Sequence, residues 1–338
     1  MAQPLEYQER YHQPAHEASI TCMSLSLDGH RLVTGSTDCT VLMWSVQSGR
    51  ALCRMKSHSP VLSVVWLRNS NGFLFGCKNG MMASVDISER FVKTTYFKGH
   101  SIPIHCLSPK FNDLFPISGA MDEVKIWKRE VRAVEQVESW ELKVKLPPPS
   151  VLDLRRVVEV TSVNWQSQDA GTSASLAIVS YRLHGILCWD VAGMTVLWQF
   201  PIDECATLSL SPDGRLAATV DKTNNFEIRD LKSGAVQSLQ VRTKPAVKPH
   251  GIRDLKTGDT TSQGEGQIRL SRLPSQRVSF AHEGFAVAGV GGDNKVFVWD
   301  AERGDQLLCL EHGENFRSRP QKILGKVTFS CGRQSQGL

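Results

Sequence analysis

A phrase that returns six times constrains this chain more than any single residue does. Its fullest copies are HEASITCMSLSLDGHRLVTGSTDCTVLMW at 16–44 and RVSFAHEGFAVAGVGGDNKVFVWD at 277–300. The copies end at Trp44, Val85, Trp127, Trp189, Arg229 and Trp299, so successive gaps are 41, 42, 62, 40 and 70 residues. Three gaps share one period, and two read as that period plus an insertion. A repeat of this length fixes architecture before any site is considered, because each copy is one supersecondary unit that must bury its faces against its neighbours.

The first copy shows what one unit must be. Ile20, Cys22, Ser24 and Ser26 alternate with Thr21, Met23, Leu25 and Leu27. Apolar residues fall on both sides, which predicts a strand packed between neighbouring sheets. Asp28-Gly29 breaks the run as a hairpin turn, and Arg31 to Thr34 resume it. Ser36 to Cys39 turn the chain again, Thr40 to Trp44 form a third strand rich in β-branched residues, and Ala51 to Met55 form a fourth after Gln47-Ser48-Gly49. Residues 208–218 (LSLSPDGRLAA) copy the first hairpin, and the turn before the last strand returns as Asp230 to Gly234 and Asp300 to Gly304. With no helix-period segment between copies, the expectation is an all-β array of four-stranded antiparallel units. Stacking them radially buries both faces and leaves only short edges.

These residues resemble the WD-repeat β-propeller family over about 16–310. The hallmark Trp-Asp ending stands at Trp189-Asp190 and Trp299-Asp300, and Gly99-His100 matches the opening Gly-His. The family's structural tetrad maps onto His16, Thr34, Asp38 and Trp44 in the first copy, and onto His100, Ser118, Asp122 and Trp127 in the third, whose last turn is one residue short. Such a buried relay needs these types: a carboxylate accepts from imidazole, a hydroxyl donates and accepts, and an indole N–H needs an acceptor. Other copies depart from the pattern. The second keeps His58 but has Asn79 and Val85, and the fifth has Thr223 and Arg229 in place of Asp and Trp. No nucleophile accompanies the His–Asp pairs, so they are read as structural rather than catalytic.

The resemblance implies a nominally seven-bladed propeller with six legible repeats and an incomplete or degenerate last blade. Residues 1–15 are expected to supply a closing strand, 16–331 the single propeller, and 332–338 a polar tail. After Gly313 the one convincing strand candidate is Lys326 to Ser330 (KVTFS). Insertions are expected at about 129–156, which ends in Pro147-Pro148-Pro149 and reads as a stiff spacer, and at 235–276. IRDLKSG at 228–234 returns as IRDLKTG at 252–258, too close for two whole blades and consistent with a truncated one.

Composition narrows the classes that remain. No run of about 18 apolar residues exists, so no membrane span is expected. The polar opening MAQPLEYQERYHQ does not read as a secretion signal. The nine cysteines are odd in number and include no Cys-x-x-Cys. Cys22, Cys106, Cys188 and Cys309 fall inside apolar strands and read as buried thiols of a cytoplasmic or nuclear protein, with no metal or other cofactor expected. Net charge is +5. The excess concentrates between 232 and 277, with Arg242, Lys244, Lys248, Arg253, Lys256, Arg269 and Arg272 as a candidate basic patch. A solvated loop is favoured there, since no aromatic interleaves the charges for base stacking.

Neither a Gly-x-Ser-x-Gly elbow nor a helix following Gly289, Gly291 and Gly292 is present, and no enzyme is expected. The leading expectation is a non-catalytic scaffold that binds proteins or peptides through loops on one propeller face, at Ser19, Thr37, Ser59, Ser101, Met121 and Gly292. Two alternatives are association with nucleic acid or chromatin through the basic 232–277 loop, and a ubiquitin-ligase substrate receptor. The latter subclass uses a Trp-Asp-x-Arg ending, whereas Arg303 here comes one residue late.

Overall fold

The computed structural model describes residues 16–68, 71–88, 91–110, 112–132, 137–149, 158–166, 175–202, 204–221, 225–239, 278–281, 284–290 and 295–311. Within them lie six antiparallel sheets of four strands each. Blade 1 is β1 (Ile20–Leu25), β2 (Arg31–Ser36), β3 (Thr40–Ser45) and β4 (Ala51–Lys56). Blade 2 is β5 (Val61–Trp66), β6 (Gly72–Cys77), β7 (Met81–Ile87) and β8 (Val92–Lys98). Blade 3 is β9 (Ile104–Ser108), β10 (Ile117–Ala120), β11 (Val124–Arg132) and β12 (Val137–Leu146). Blade 4 is β13 (Val160–Trp165), β14 (Leu176–Tyr181), β15 (Gly185–Asp190) and β16 (Thr195–Phe200). Blade 5 is β17 (Cys205–Leu210), β18 (Leu216–Asp221), β19 (Phe226–Asp230) and β20 (Val236–Leu239). Blade 6 is β21 (Val278–Ala281), β22 (Ala286–Val290), β23 (Lys295–Asp300) and β24 (Gln306–Glu311). The whole is a β-propeller in which β1, β5, β9, β13, β17 and β21 pack in series, each against the next.

The sequence turns sit where their chemistry places them. Gly29 and Gly214 take φ of 70° and 71°, the left-handed conformation that a side chain resists. Asp28 and Asp213 accept from the backbone N–H two residues on, at 2.9 and 3.0 Å. The Asp of the Trp-Asp ending does the same at the far turn: Asp300 Oδ1 accepts from Glu302 and Arg303 N–H, and Asp190 Oδ1 from Ala192 N–H. In blade 1 the middle strands β2 and β3 are buried almost along their length, whereas outer β4 and β16 are largely exposed.

Two periodic devices join neighbouring blades. Gly35, Gly76 and Gly119 stand at equivalent positions, and a Cβ on them would lie 2.6, 2.6 and 2.4 Å from neighbouring side-chain atoms, those of Val61 and Ile104 of the next blade's inner strand for the first two. Serines clip the inner strands together. Ser63 and Ser162 Oγ donate to the Ile104 and Leu208 carbonyls, each at 3.0 Å. Ser24, Ser108 and Ser209 Oγ accept from Trp66, Trp165 and Phe280 N–H. These bonds replace the backbone ladder that no longer runs between sheets.

Two expectations are corrected. β1 is not packed on both sides: Met23, Leu25 and Leu27 are 65%, 47% and 72% exposed. The counterparts of Met23 in blades 2, 4 and 5, Val64, Val163 and Leu208, are buried in the clusters they form with the preceding blade. Among the described residues no blade precedes β1. The stretch from 129 is also not wholly a spacer, because β11 and β12 continue as a paired hairpin from Val124–Leu146 to Arg132–Val137. The closing strand before His16, the Lys326–Ser330 strand and the second IRDLK copy lie outside the described residues.

Candidate functional site

Blade 1 holds a closed polar relay. The Trp44 indole N–H donates to Thr34 Oγ1 at 3.0 Å, and that hydroxyl lies 2.8 Å from His16 Nε2. His16 Nδ1 lies 2.8 Å from Thr40 Oγ1 and 3.2 Å from Asp38 Oδ2. Thr40 Oγ1 donates to Asp38 Oδ1 at 2.6 Å. One assignment satisfies every member: Thr34 O–H donates to Nε2, and Nδ1–H donates toward Thr40 and Asp38. Burial lowers the His16 pKa against the pull of Asp38. Burial would raise that of Asp38, but hydrogen bonds from Thr40 and the Glu17 N–H bring it below the ordinary value. Thr40 was not foreseen; a hydroxyl two residues after the turn aspartate is its sequence signal.

Blade 3 builds the relay with a different acid. Trp127 donates to Ser118 Oγ at 2.8 Å, and Ser118 Oγ lies 2.8 Å from His100 Nε2. His100 Nδ1 meets Glu123 Oε2 at 3.0 Å, while Asp122 is exposed. The expected Asp122 is therefore replaced by Glu123. The shortened turn moves the backbone one residue, and the longer glutamate side chain spans the difference. Glu123 also pairs with Lys125 at 2.9 Å and Lys145 at 2.6 Å. Burial disfavours its charge, yet Lys145, Lys125 and His100 together hold the carboxyl at about 2. Burial outweighs Glu123 and lowers His100 to about 4.

The remaining blades have lost the relay, each in its own way. In blade 2, Val61 pairs with Cys77 as Ile20 pairs with Ser36, so Ser57 and not His58 takes the place of His16. His58 is exposed beside Tyr96. Phe75 replaces the threonine and packs edge-on to Tyr96 at 6.1 Å. The relay there has become apolar filling. In blade 6, Gly289 stands at the threonine position, and the Phe226 ring occupies the space and packs on Trp299 at 4.7 Å. In blade 4 the buried Trp189 N–H lies near the Tyr181 hydroxyl without closing a full hydrogen bond.

Blade 5 carries a half-open polar pocket instead. Arg229 pairs with Ala217 as Trp44 pairs with Leu32. Around it a polar cavity of about 240 Å³ is lined by Pro201, Ile202, Thr219, Asp221, Asn225, Glu227 and Arg229. The guanidinium lies 5.4 Å from the Phe200 ring, reaches Glu227 only at 3.8 Å, and leaves Nε buried without an acceptor. Thr223 lies outside the described residues.

The tetrad loops and the candidate binding loops share one end of the blades, since each precedes a first strand or follows a second. Thr37 N–H donates to the Ser19 carbonyl at 3.0 Å, tying the two loops of blade 1. Ser19, Thr37, Ser101 and Met121 are exposed. Ser59 is a correction: at 8% exposure it is buried and presents no binding group. Gly292 and the basic patch from Arg242 to Arg272 lie outside the described residues.

Comparison with known proteins agrees with this architecture. The WD domain, G-beta repeat family matches residues 8–45. A stretch of 120 residues is 28% identical to an uncharacterized WD repeat-containing protein of Schizosaccharomyces pombe, covering 33% of this chain and 32% of that protein. A stretch of 124 residues is 22% identical to the WD repeat domain-containing protein 83 homolog of Dictyostelium discoideum, covering 36% and 38%. A third, of 122 residues, is 24% identical to the human WD repeat- and FYVE domain-containing protein 4, covering 34% of this chain and 4% of that protein. The matched stretches thus span well under half of these relatives. Fold, tetrads and matches together make the chain similar to WD-repeat proteins.

Proposed function

We propose that this protein is a non-catalytic interaction scaffold that binds proteins or peptides at the end of the disc carrying the histidine loops. The observation that carries the reading is the pairing of stiffness with exposure. Buried relays hold the loop ends of blades 1 and 3, while Thr37, Ser101 and Met121 stand exposed beside them. A rigid scaffold with presented side chains loses little entropy on binding. WD propellers as a class mediate protein interactions, and the relay hydroxyls of Thr34 and Ser118 are fully buried and committed to their histidine and tryptophan partners. Eight free thiols among the described residues suit the cytoplasm or nucleus, where we place its work.

The test is affinity capture of the tagged chain beside a variant carrying Thr37→Glu, Ser101→Glu and Met121→Glu, with circular dichroism verifying that both fold. The expected result is a defined partner set that the variant loses. A variant that retains every partner overturns the reading.

A further inference from the structure

The opposite end of the disc carries a second constellation, at the seam between blades 3 and 4. Lys110 follows β9, Phe115 precedes β10, Trp165 ends β13 and Ser175 precedes β14, while Lys143 lies on β12. Lys110 Nζ stands 5.6 Å from the Phe115 ring centroid and 5.0 Å from that of Trp165, and Lys143 Nζ stands 4.2 Å from Phe115. Two ammonium groups thus share one aromatic ring.

Among the described residues no carboxylate balances them. Lys125, Lys128 and Lys145 each pair with a glutamate. Among the described residues neither Lys110 nor Lys143 has a carboxylate partner. Among the described residues Lys110 Nζ donates to Ser175 Oγ at 2.6 Å, an acceptor without charge. Burial and the neighbouring Lys143 both lower the Lys110 pKa, the mark of a cation held without compensation. Beneath it, the Trp165 indole N–H is buried and has no acceptor. Ring faces attract the ammonium groups but accept none of their hydrogen bonds in the ordinary sense, and each ammonium has three donors to place. Among the described residues, donors therefore accumulate here with no acceptor of matching charge, in contrast to the Glu123 cluster of blade 3.

We propose that this seam is a binding site for an oxyanion presented by a partner protein, the carboxylate of an aspartate or glutamate or the phosphate of a phosphorylated side chain, held between Lys110 and Lys143. The site rests on the scaffold reading and names a second partner surface, on the end of the disc away from the histidine loops.

Two fluorescent peptides of equal length test it by anisotropy at low and moderate salt, one glutamate-rich and one with a single phosphoserine. The intact chain is compared with Lys110→Met/Lys143→Met, which keeps the apolar stems, and with Lys128→Met, whose ammonium is already paired. At least one peptide should bind, tenfold or more weakly to the double variant, and equally well to Lys128→Met. The peptide that binds assigns carboxylate or phosphate. Failure of both peptides, or equal binding to the double variant, overturns the inference. The scaffold reading stands or falls separately, on partner capture by the Thr37, Ser101 and Met121 variant.

Discussion

At the scale of single residues, the relays are stability devices with a defined pH response. The folded-state pKa of His100 lies near 4, below its ordinary 6.5, so between those values the folded chain holds fewer protons than the unfolded one. Stability from this residue is therefore present above pH 6.5 and declines as pH falls toward 4, by roughly 2–3 kcal/mol. Glu123, depressed from 4.5 to about 2, adds a loss of the same sign at still lower pH. Urea unfolding at pH 7, 5.5 and 4 should register the first loss, and His100→Gln should flatten the curve over that interval; an unchanged slope would remove the relay from the account. Arg229 offers the converse experiment. Thr219 is buried at the threonine position, and its hydroxyl is placed as Thr34 is placed for Trp44. Arg229→Trp should fill the cavity, supply a donor to Thr219 and remove a buried nitrogen without an acceptor. The expected gain is about 1–2 kcal/mol, read as a higher midpoint in thermal unfolding. A lower midpoint would mean that the arginine is itself well accommodated.

At the scale of strands and turns, the tryptophan copies differ from the others in register. Between third and fourth strands the ladder slips by one residue at Met43/Trp44, Ile126/Trp127, Cys188/Trp189 and Val298/Trp299. It runs without a slip past Val85 and Arg229. A bulge re-aims a side chain, and here it accompanies the indole. Hairpins were readable from the chain because Asp-Gly and its kin have a local cause. The relays were readable only where their spacing is intact. One missing residue in a turn exchanged Asp122 for Glu123, and one extra histidine drew attention to His58 although the register selects Ser57. The blade 5 cavity and the Lys110 seam had no signal, since they arise from bulk that is absent and from residues far apart in sequence. The serine clips yield a prediction at this scale. Ser63→Ala and Ser162→Ala should each cost about 1 kcal/mol in chemical unfolding, and their costs should add, because the two seams share no partner. A cost near zero for both would show that packing alone holds the seams.

At the scale of the whole molecule, stability is a sum of blades and seams, each blade touching only its neighbours. Blade 1 is flanked on one side alone among the described residues, and its inner strand exposes Met23 and Leu25. Hydrogen exchange should therefore protect β13 and β17 more strongly than β1 and β2, a gradient from the middle of the series outward. Uniform protection from β1 to β19 would show that blade 1 is as well supported as blade 4. The serine clips carry one more consequence, a mechanical one. Each joins two adjacent inner strands and nothing beyond them, so among the described residues no fastening spans the disc. Drawn out by its two termini, such a chain has no single breaking point. It should give way as a staircase, one blade to a step. Where copies are 41 or 42 residues apart, each step should release roughly 140 Å of chain at about 3.4 Å per residue.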